Sequence, residues 1–210
     1  MKPKIDYTLY LVTDQNLMSS PTIEESVESA VKGGCTLIQI REKDTPSLEF
    51  YETALKLREL TYQLGVPLIV NDRVDIALAV DADGVHIGQG DLPLEVVRRI
   101  IGHDKIIGVS ANNLSQAVLA REGGADYLGI GAMFATGTKT DANLASLDEL
   151  RQIREAISLP IVAIGGINRD TVPLLHSSGI DGIAVVSAIV AQEDVTGAAR
   201  ELKRLFLEGR

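Results

Sequence analysis

The residues with chemical reach cluster where short apolar runs end. The run TLIQIRE leads into Gln39-Ile40-Arg41-Glu42-Lys43. If it is a strand, Leu37, Gln39, Arg41 and Lys43 share one face, and Ile38 and Ile40 the other. An amide and two cations on one face suit an anion such as a diphosphate, because arginine offers a fork of donors and lysine a mobile point charge. A plain surface charge cluster is the alternative, but such a face is hard to bury without a ligand. Two carboxylates stand nearby in the pattern. Asn71-Asp72 closes PLIVND, and Gln89-Gly90-Asp91 follows GVHIG. A carboxylate pair beside an anion site suits Mg²⁺, which takes one or two carboxylates and completes its shell with phosphate oxygens and water. Either aspartate alone would also serve as the cap of the helical segment behind it, RVDIALAV or LPLEVVRRI; together they favour a metal.

The other run ends add hydroxyls, glycines and one more cation. Ser110 closes IIGVSA. With no His–Asp relay apparent, it reads as a hydrogen-bonding group or an ordinary loop residue, and not as an acyl-transfer nucleophile. The segment Ala132 to Thr140 carries Thr136, Gly137, Thr138 and Lys139, which suit a phosphate contact or a plain flexible loop. It is not a nucleotide P-loop, because Ala132 stands where the leading glycine is needed. Gly165-Gly166 and Val186-Ser187 end the last two runs. Their backbone amides and a following helix start suit a second phosphate. Gly88, Gly108, Gly129, Gly131 and Gly165 alternate onto the same inner face, leaving an expected cavity with room for a flat ring. His86 reads as a hydrogen-bonded core histidine, His103 and His176 as solvated, and Cys35 as a small buried apolar residue without a partner base.

The elements that must position these groups alternate along the whole chain. Eight β-rich runs (8–14, 36–42, 67–72, 84–88, 106–111, 127–133, 160–166 and 182–188) are separated by segments with helical spacing, several closed by glycine. The last helix is expected over Thr196 to Leu207. The pieces GGCTLIQI, DADGVHIG, GGADYLGIG and SGIDGIAVV resemble one another, each with a small-residue turn before a strand. Strands joined through helices run parallel. Eight such units predict one α/β domain, a (β/α)₈ TIM barrel over residues 1–210, with an open doubly wound sheet as the alternative. Chemistry in such barrels gathers at the C-terminal strand ends, where the residues above fall, and the loops after strands seven and eight are its recurrent phosphate site.

Composition agrees. Aliphatic residues dominate, with aromatics at only 4 %, as buried parallel sheets require. A formal charge of −9 argues against a nucleic-acid or anionic-membrane binder. The single cysteine excludes an internal disulfide and fits a reducing compartment. The uncharged stretch from Tyr127 to Ala135 is far short of the ~20 residues a spanning helix needs. The N-terminal apolar run has an acid at both ends, unlike a signal peptide. The expected setting is cytoplasmic.

The motifs LYLVTD, TLIQIREKD, LIVNDRVDIAL, DGVHIGQGDLP, IGVSA, ADYLGIGAMFATGTK, PIVAIGGI and VVSAI, in this order, resemble the thiamine-phosphate synthase family over nearly the whole chain; DGVHIGQGDLP and QIREKD are the most specific. The resemblance implies joining of an aminopyrimidine diphosphate to a hydroxyethylthiazole phosphate. It implies that Gln39, Ile40, Arg41, Glu42, Lys43, Asn71, Ser110 and Lys139 bind the pyrimidine diphosphate, with Arg41, Lys43, Ser110 and Lys139 catalytic. Asp72 and Asp91 would hold Mg²⁺, and Thr136, Gly137, Thr138, Gly166, Val186 and Ser187 the thiazole phosphate. The sequence departs from the family at Ala132 and Ala135, where prolines are common, and at Asn112, where a histidine is common. A thiazole-phosphate tautomerase-like barrel and a non-catalytic thiamine-phosphate binder are the rival readings. The partners implied are small molecules. A homo-oligomer is compatible with the sequence, which does not specify one.

Overall fold

A computed structural model of the chain describes residues 2–135 and 145–209. Each apolar run supplies one strand: β1 (Leu9–Val12), β2 (Leu37–Ile40), β3 (Leu68–Asn71), β4 (Gly84–Ile87), β5 (Ile106–Ala111), β6 (Tyr127–Ile130), β7 (Ile161–Ile164) and β8 (Gly182–Val185). All pair in parallel and close in sequence order, β8 returning to β1, which makes a TIM barrel and removes the open sheet. Most strands are shorter than their runs, because the polar run ends turn out at the rims.

Strand alternation builds two cores. Ile38, Ile40, Leu68, Val70, Leu128 and Ile130 face outward and pack under the helices. Tyr10, Leu37, Ile69, Ile106, Tyr127, Val162 and Ala184 fill the barrel. Burying each aliphatic side chain is worth ~1.5–3 kcal/mol. The helical layer is α1 (Ile23–Gly33), α2 (Ser47–Leu64), α3 (Val74–Ala79), α4 (Leu94–Ile101), α5 (Leu114–Glu122), α6 (Leu147–Ala156), the single turn α7 (Ser187–Val190) and α8 (Val195–Glu208). Side chains of Thr22, Asn113, Ser146 and Asp194 cap α1, α5, α6 and α8 by accepting an early backbone N–H.

The seventh crossover departs from the expected pattern. Between β7 and β8 lies a 3₁₀ turn, Val172–Leu175, with Pro173 at its start. A proline is tolerated in a first turn, but only six residues separate this turn from β8, and Ser177 holds a positive φ of 62°, so the segment never extends into an α-helix. His176 also differs from expectation: it is half-buried, with Nε2 3.0 Å from the Leu205 carbonyl oxygen.

The resemblance among the four sequence pieces has a physical meaning. In each, the residue before an even-numbered strand accepts a backbone N–H from the start of the preceding strand, from its first residue or, in β5, its second. Thr36 Oγ1 takes it from Leu9 at 3.1 Å, Asp83 from Leu68 at 2.8 Å, Asp126 from Ile107 at 2.8 Å and Asp181 from Ile161 at 2.9 Å. Each aspartate is also gripped by an arginine from the helix that precedes the odd-numbered strand: Arg58 of α2 at 2.8 Å, Arg98 of α4 at 2.6 Å and Arg154 of α6 at 3.0 Å. The repeat unit is thus two βα steps, and its polar clamp closes the N-terminal end of the barrel. Among the described residues no helix is long and apolar enough to cross a membrane.

Candidate active site

The opposite end, at the C-terminal strand ends, opens into a cavity of about 850 Å³. Its wall contains Gln39, Arg41, Lys43, Asn71, Asp72, Asp91, Ser110, Gly166, Val186 and Ser187, so these expected site residues share one opening. Ile40 and Glu42 do not belong to that wall. Alternation sends Ile40 into the helix-facing core. Glu42 turns away, where Thr45 donates to its Oε2 at 3.2 Å. Its Oε1 is buried without a partner, and burial pushes its carboxyl above the usual carboxylate range. Thr136, Gly137, Thr138 and Lys139 lie outside the described residues.

The charged rim is arranged in contacts between opposite and like groups. Lys43 Nζ donates to Asp72 Oδ2 at 2.6 Å. Arg41 faces Asp14, with nitrogen and oxygen 3.7 Å apart, and the Arg41 amide donates to Thr13 Oγ1 at 3.1 Å. Asp91 Oδ2 accepts from the Gly88 amide at 2.7 Å. Burial raises the Asp91 carboxyl above its ordinary pKa; the Gly88 amide opposes this, and the Asp72 carboxyl within hydrogen-bonding reach raises it further. Neither aspartate caps a helix. Arg73 precedes α3 and Pro93 precedes α4, and neither end has a side-chain cap. Asp72 adopts φ 59°, a left-handed conformation that aspartate tolerates better than most residues. The two carboxylates in contact carry one more negative charge than Lys43 balances, which suits a divalent-cation site completed by phosphate oxygens. Among the described residues no group of three or more His, Cys, Asp and Glu is arranged for a metal, so the protein share would be this pair.

The far side of the cavity is built from backbone. Gly165 and Gly166 hold φ values of 91° and 67°, which only glycine adopts without strain. At Gly166 a Cβ would also meet the Ala135 carbonyl at 2.7 Å. Val186 and Ser187 start the turn α7 beside them.

The expected cavity is present, with Gly88, Gly129, Gly131 and Gly165 in its wall, but Gly108 lies below it under a polar floor. A Cβ on Gly108 would sit 2.1 Å from the Tyr127 ring, one on Gly129 3.0 Å from His86, and one on Gly131 2.0 Å from the Ile164 carbonyl. The first two glycines therefore make room for polar rings, and the third for a close strand. His86 is hydrogen-bonded on both sides: Nδ1 lies 2.9 Å from the Tyr127 hydroxyl and Nε2 2.9 Å from Ser110 Oγ. Burial lowers its pKa to about 4, so it is neutral near pH 7. Tyr127 reaches Tyr10, hydroxyl to hydroxyl, at 2.9 Å, and Gln39 Nε2 donates to Tyr10 at 2.6 Å. Sequence reasoning passed over Tyr10 and Tyr127. Their signal was their inward position in strands otherwise lined by small or apolar residues.

Comparison with known proteins agrees with this geometry. Residues 9–189 match the family described as thiamine monophosphate synthase. The chain is 61 % identical over 208 residues to the thiamine-phosphate synthase of Clostridium beijerinckii, covering 99 % of this chain and 100 % of that one. It is 55 % identical to that of Chloroflexus aurantiacus, covering 96 % and 93 %. The solved structure of a thiamine phosphate pyrophosphorylase from Pyrococcus furiosus superposes with a TM-score of 0.89 at 45 % identity, covering 97 % of this chain and 96 % of that one. The chain therefore belongs to the thiamine-phosphate synthase family, transferases of class EC 2.5.1.3.

Proposed function

We propose that this barrel, acting as a single cytoplasmic domain, catalyses Mg²⁺-dependent alkyl transfer. It moves the pyrimidine methylene group of 4-amino-2-methyl-5-hydroxymethylpyrimidine diphosphate to the ring nitrogen of 4-methyl-5-hydroxyethylthiazole phosphate. The carbon–oxygen bond to diphosphate breaks and its electron pair leaves with the diphosphate. The thiazole nitrogen then gives its lone pair to the same carbon, and the 4-amino group spreads the positive charge between the two events. No proton need be removed, which agrees with a site that has cations and carboxylates but a neutral histidine.

The observation that carries the reading is the convergence of Arg41, Lys43, Asp72 and Asp91 on one opening. Arg41 and Lys43, with Lys139, would grip the diphosphate as negative charge gathers on it. A unit charge pair ~4 Å apart is worth ~4 kcal/mol at an effective dielectric of ~20, so a few such contacts supply much of a typical ~8–23 kcal/mol reduction in barrier. Asp72 and Asp91 fit Mg²⁺, which when bound would neutralise leaving-group charge. Gln39, Asn71 and Ser110 would hold the pyrimidine. Gly166, Val186 and Ser187, with Thr136 to Thr138, would hold the thiazole phosphate.

Diphosphate release should require both substrates, and calorimetric binding of the pyrimidine diphosphate should require Mg²⁺. A tautomerase-like barrel or a non-catalytic binder would show neither dependence. Release with one substrate omitted, or metal-independent binding, would overturn the assignment.

A further inference from the structure

The floor of the cavity is a single hydrogen-bond chain across five strands. It runs from Gln39 on β2 to Tyr10 on β1, crosses the barrel to Tyr127 on β6, passes to His86 on β4 and ends at Ser110 on β5. The register explains the last steps. His86 pairs with Gly108, which pairs with Tyr127, so the two rings meet across the strand that lacks a side chain between them. Ser110 stands two residues above Gly108 on the same face.

Satisfying every proton fixes the direction of this chain. The Gln39 amide nitrogen donates to Tyr10. The Tyr10 proton then has the Tyr127 oxygen as its acceptor, and the Tyr127 proton has His86 Nδ1. That leaves the His86 proton on Nε2, donated to Ser110 Oγ, and the Ser110 proton turned outward. Tyr10 and Tyr127 are fully or almost fully buried, so no water competes for these positions. No member of the chain is among the buried side-chain atoms left without a partner.

Building on the function proposed above, we propose that Tyr127 is a positioning residue: its hydroxyl couples Gln39 to Ser110 and turns the Ser110 proton toward an acceptor nitrogen of the bound heteroaromatic ring. Tyr127 itself need not touch the substrate. It acts through His86 and Ser110, and it sets which edge of a flat ring the floor accepts. A ring with an acceptor at that edge is held, and one with a donor there meets a second donor.

The test uses Tyr127→Phe, which keeps the ring and removes the hydroxyl. Calorimetry with Mg²⁺ should show about a tenfold loss in affinity for the pyrimidine diphosphate, the scale of one hydrogen bond. Affinity for inorganic diphosphate, which has no ring, should stay within about twofold. In a Ser110→Ala background the same substitution should cost nothing further, because the route to the ligand is already cut. A general loosening of the barrel would instead lower both affinities, or add to the loss from Ser110→Ala, and either result overturns the inference, as does wild-type behaviour of Tyr127→Phe. If Tyr127→Phe does not fold, Tyr10→Phe breaks the chain one bond earlier and should give the same ring-specific loss; its absence is equally fatal. Binding is read without turnover. A wild type that binds both probes but forms no product therefore refutes the proposed reaction and leaves the relay standing. One that binds inorganic diphosphate but not the ring compound refutes both.

Discussion

Removing Asp126 should test whether the arginine–aspartate clamps at the closed end hold the barrel together. Its carboxylate accepts from Ile107 N at 2.8 Å and from Arg98 at 2.6 Å. Hydrogen bonds to charged groups contribute ~1.5–3 kcal/mol each, so the two together set an upper bound of ~3–6 kcal/mol. Arg98 and Asp126 side chains are 12 % and 16 % exposed, and solvent recovers some of that. The expected loss in Asp126→Ala is ~3–4 kcal/mol, because the β5 amide also loses its acceptor. Lys2, which also pairs with Asp126, is 37 % exposed and adds little. Asp126→Asn keeps an oxygen for the amide and loses only the charge, so it should cost ~1–2 kcal/mol. Urea unfolding followed by circular dichroism gives both values if the slopes match wild type. For a chain of this size the alanine variant should also melt ~10 °C lower. Turnover of the folded variants should be unchanged, since the clamp and the cavity lie at opposite ends. An alanine variant within ~1 kcal/mol of wild type, or an asparagine variant as damaged as the alanine one, would refute the clamp as a source of stability.

Asp91→Asn should separate function from stability. The folded-state pKa of Asp91 is raised, so its ionised form is disfavoured on folding. Without metal, wild-type stability should fall as pH rises from the unfolded carboxylate pKa through that raised value, and the asparagine variant should lose this slope. Its urea midpoint at neutral pH should equal or exceed wild type while Mg²⁺-dependent turnover drops ~100-fold; a lower midpoint with intact turnover would contradict both halves. Cys35 is buried, and burial pushes its thiol up to about 12. At pH 8 roughly one thiol in 10⁴ is ionised, so iodoacetamide should label the native protein far more slowly than the urea-unfolded chain. Native labelling at the rate of a free thiol would show the burial to be wrong.

The strands were legible because a parallel barrel strand must be apolar on both faces, and eight such runs stand out between helical segments. The charged rim was legible for the opposite reason: Gln39, Arg41 and Lys43 interrupt that rule on one face. The direction of Glu42 follows from the same alternation as Ile40, which places both away from the cavity; family resemblance, applied to the whole segment, hid this. The cavity was legible from its small residues, Gly88, Gly129, Gly131 and Gly165, but Gly108 was not part of it. Glycines at alternating inward positions say only that no side chain begins there. They do not say whose side chain fills the gap, and Tyr127 fills the one at Gly108 from the neighbouring strand. The clamps were visible as a repeat without a mechanism, because an arginine 25 to 28 residues before its aspartate has no local signature.

Along its axis the barrel therefore changes polarity in steps, and the middle step makes the others compatible. Leu37, Ile69, Ile106, Val162 and Ala184 form a dry plug. A charged rim set directly on such a plug would leave the lower edge of a heterocyclic ligand against hydrocarbon, with no partner for its ring nitrogens. The Gln39–Tyr10–Tyr127–His86–Ser110 layer solves this with groups that satisfy one another and carry no net charge. Two tyrosine rings bury enough apolar surface to replace the aliphatic side chains that Gly108 and Gly129 give up. Because the layer is neutral and offers only the Ser110 proton outward, it does not compete with Asp72 and Asp91 for cations or with Arg41 and Lys43 for the charge of an anion. The rim charges pair with one another, Lys43 with Asp72 and Arg41 with Asp14, and a diphosphate and its metal would take over those partners.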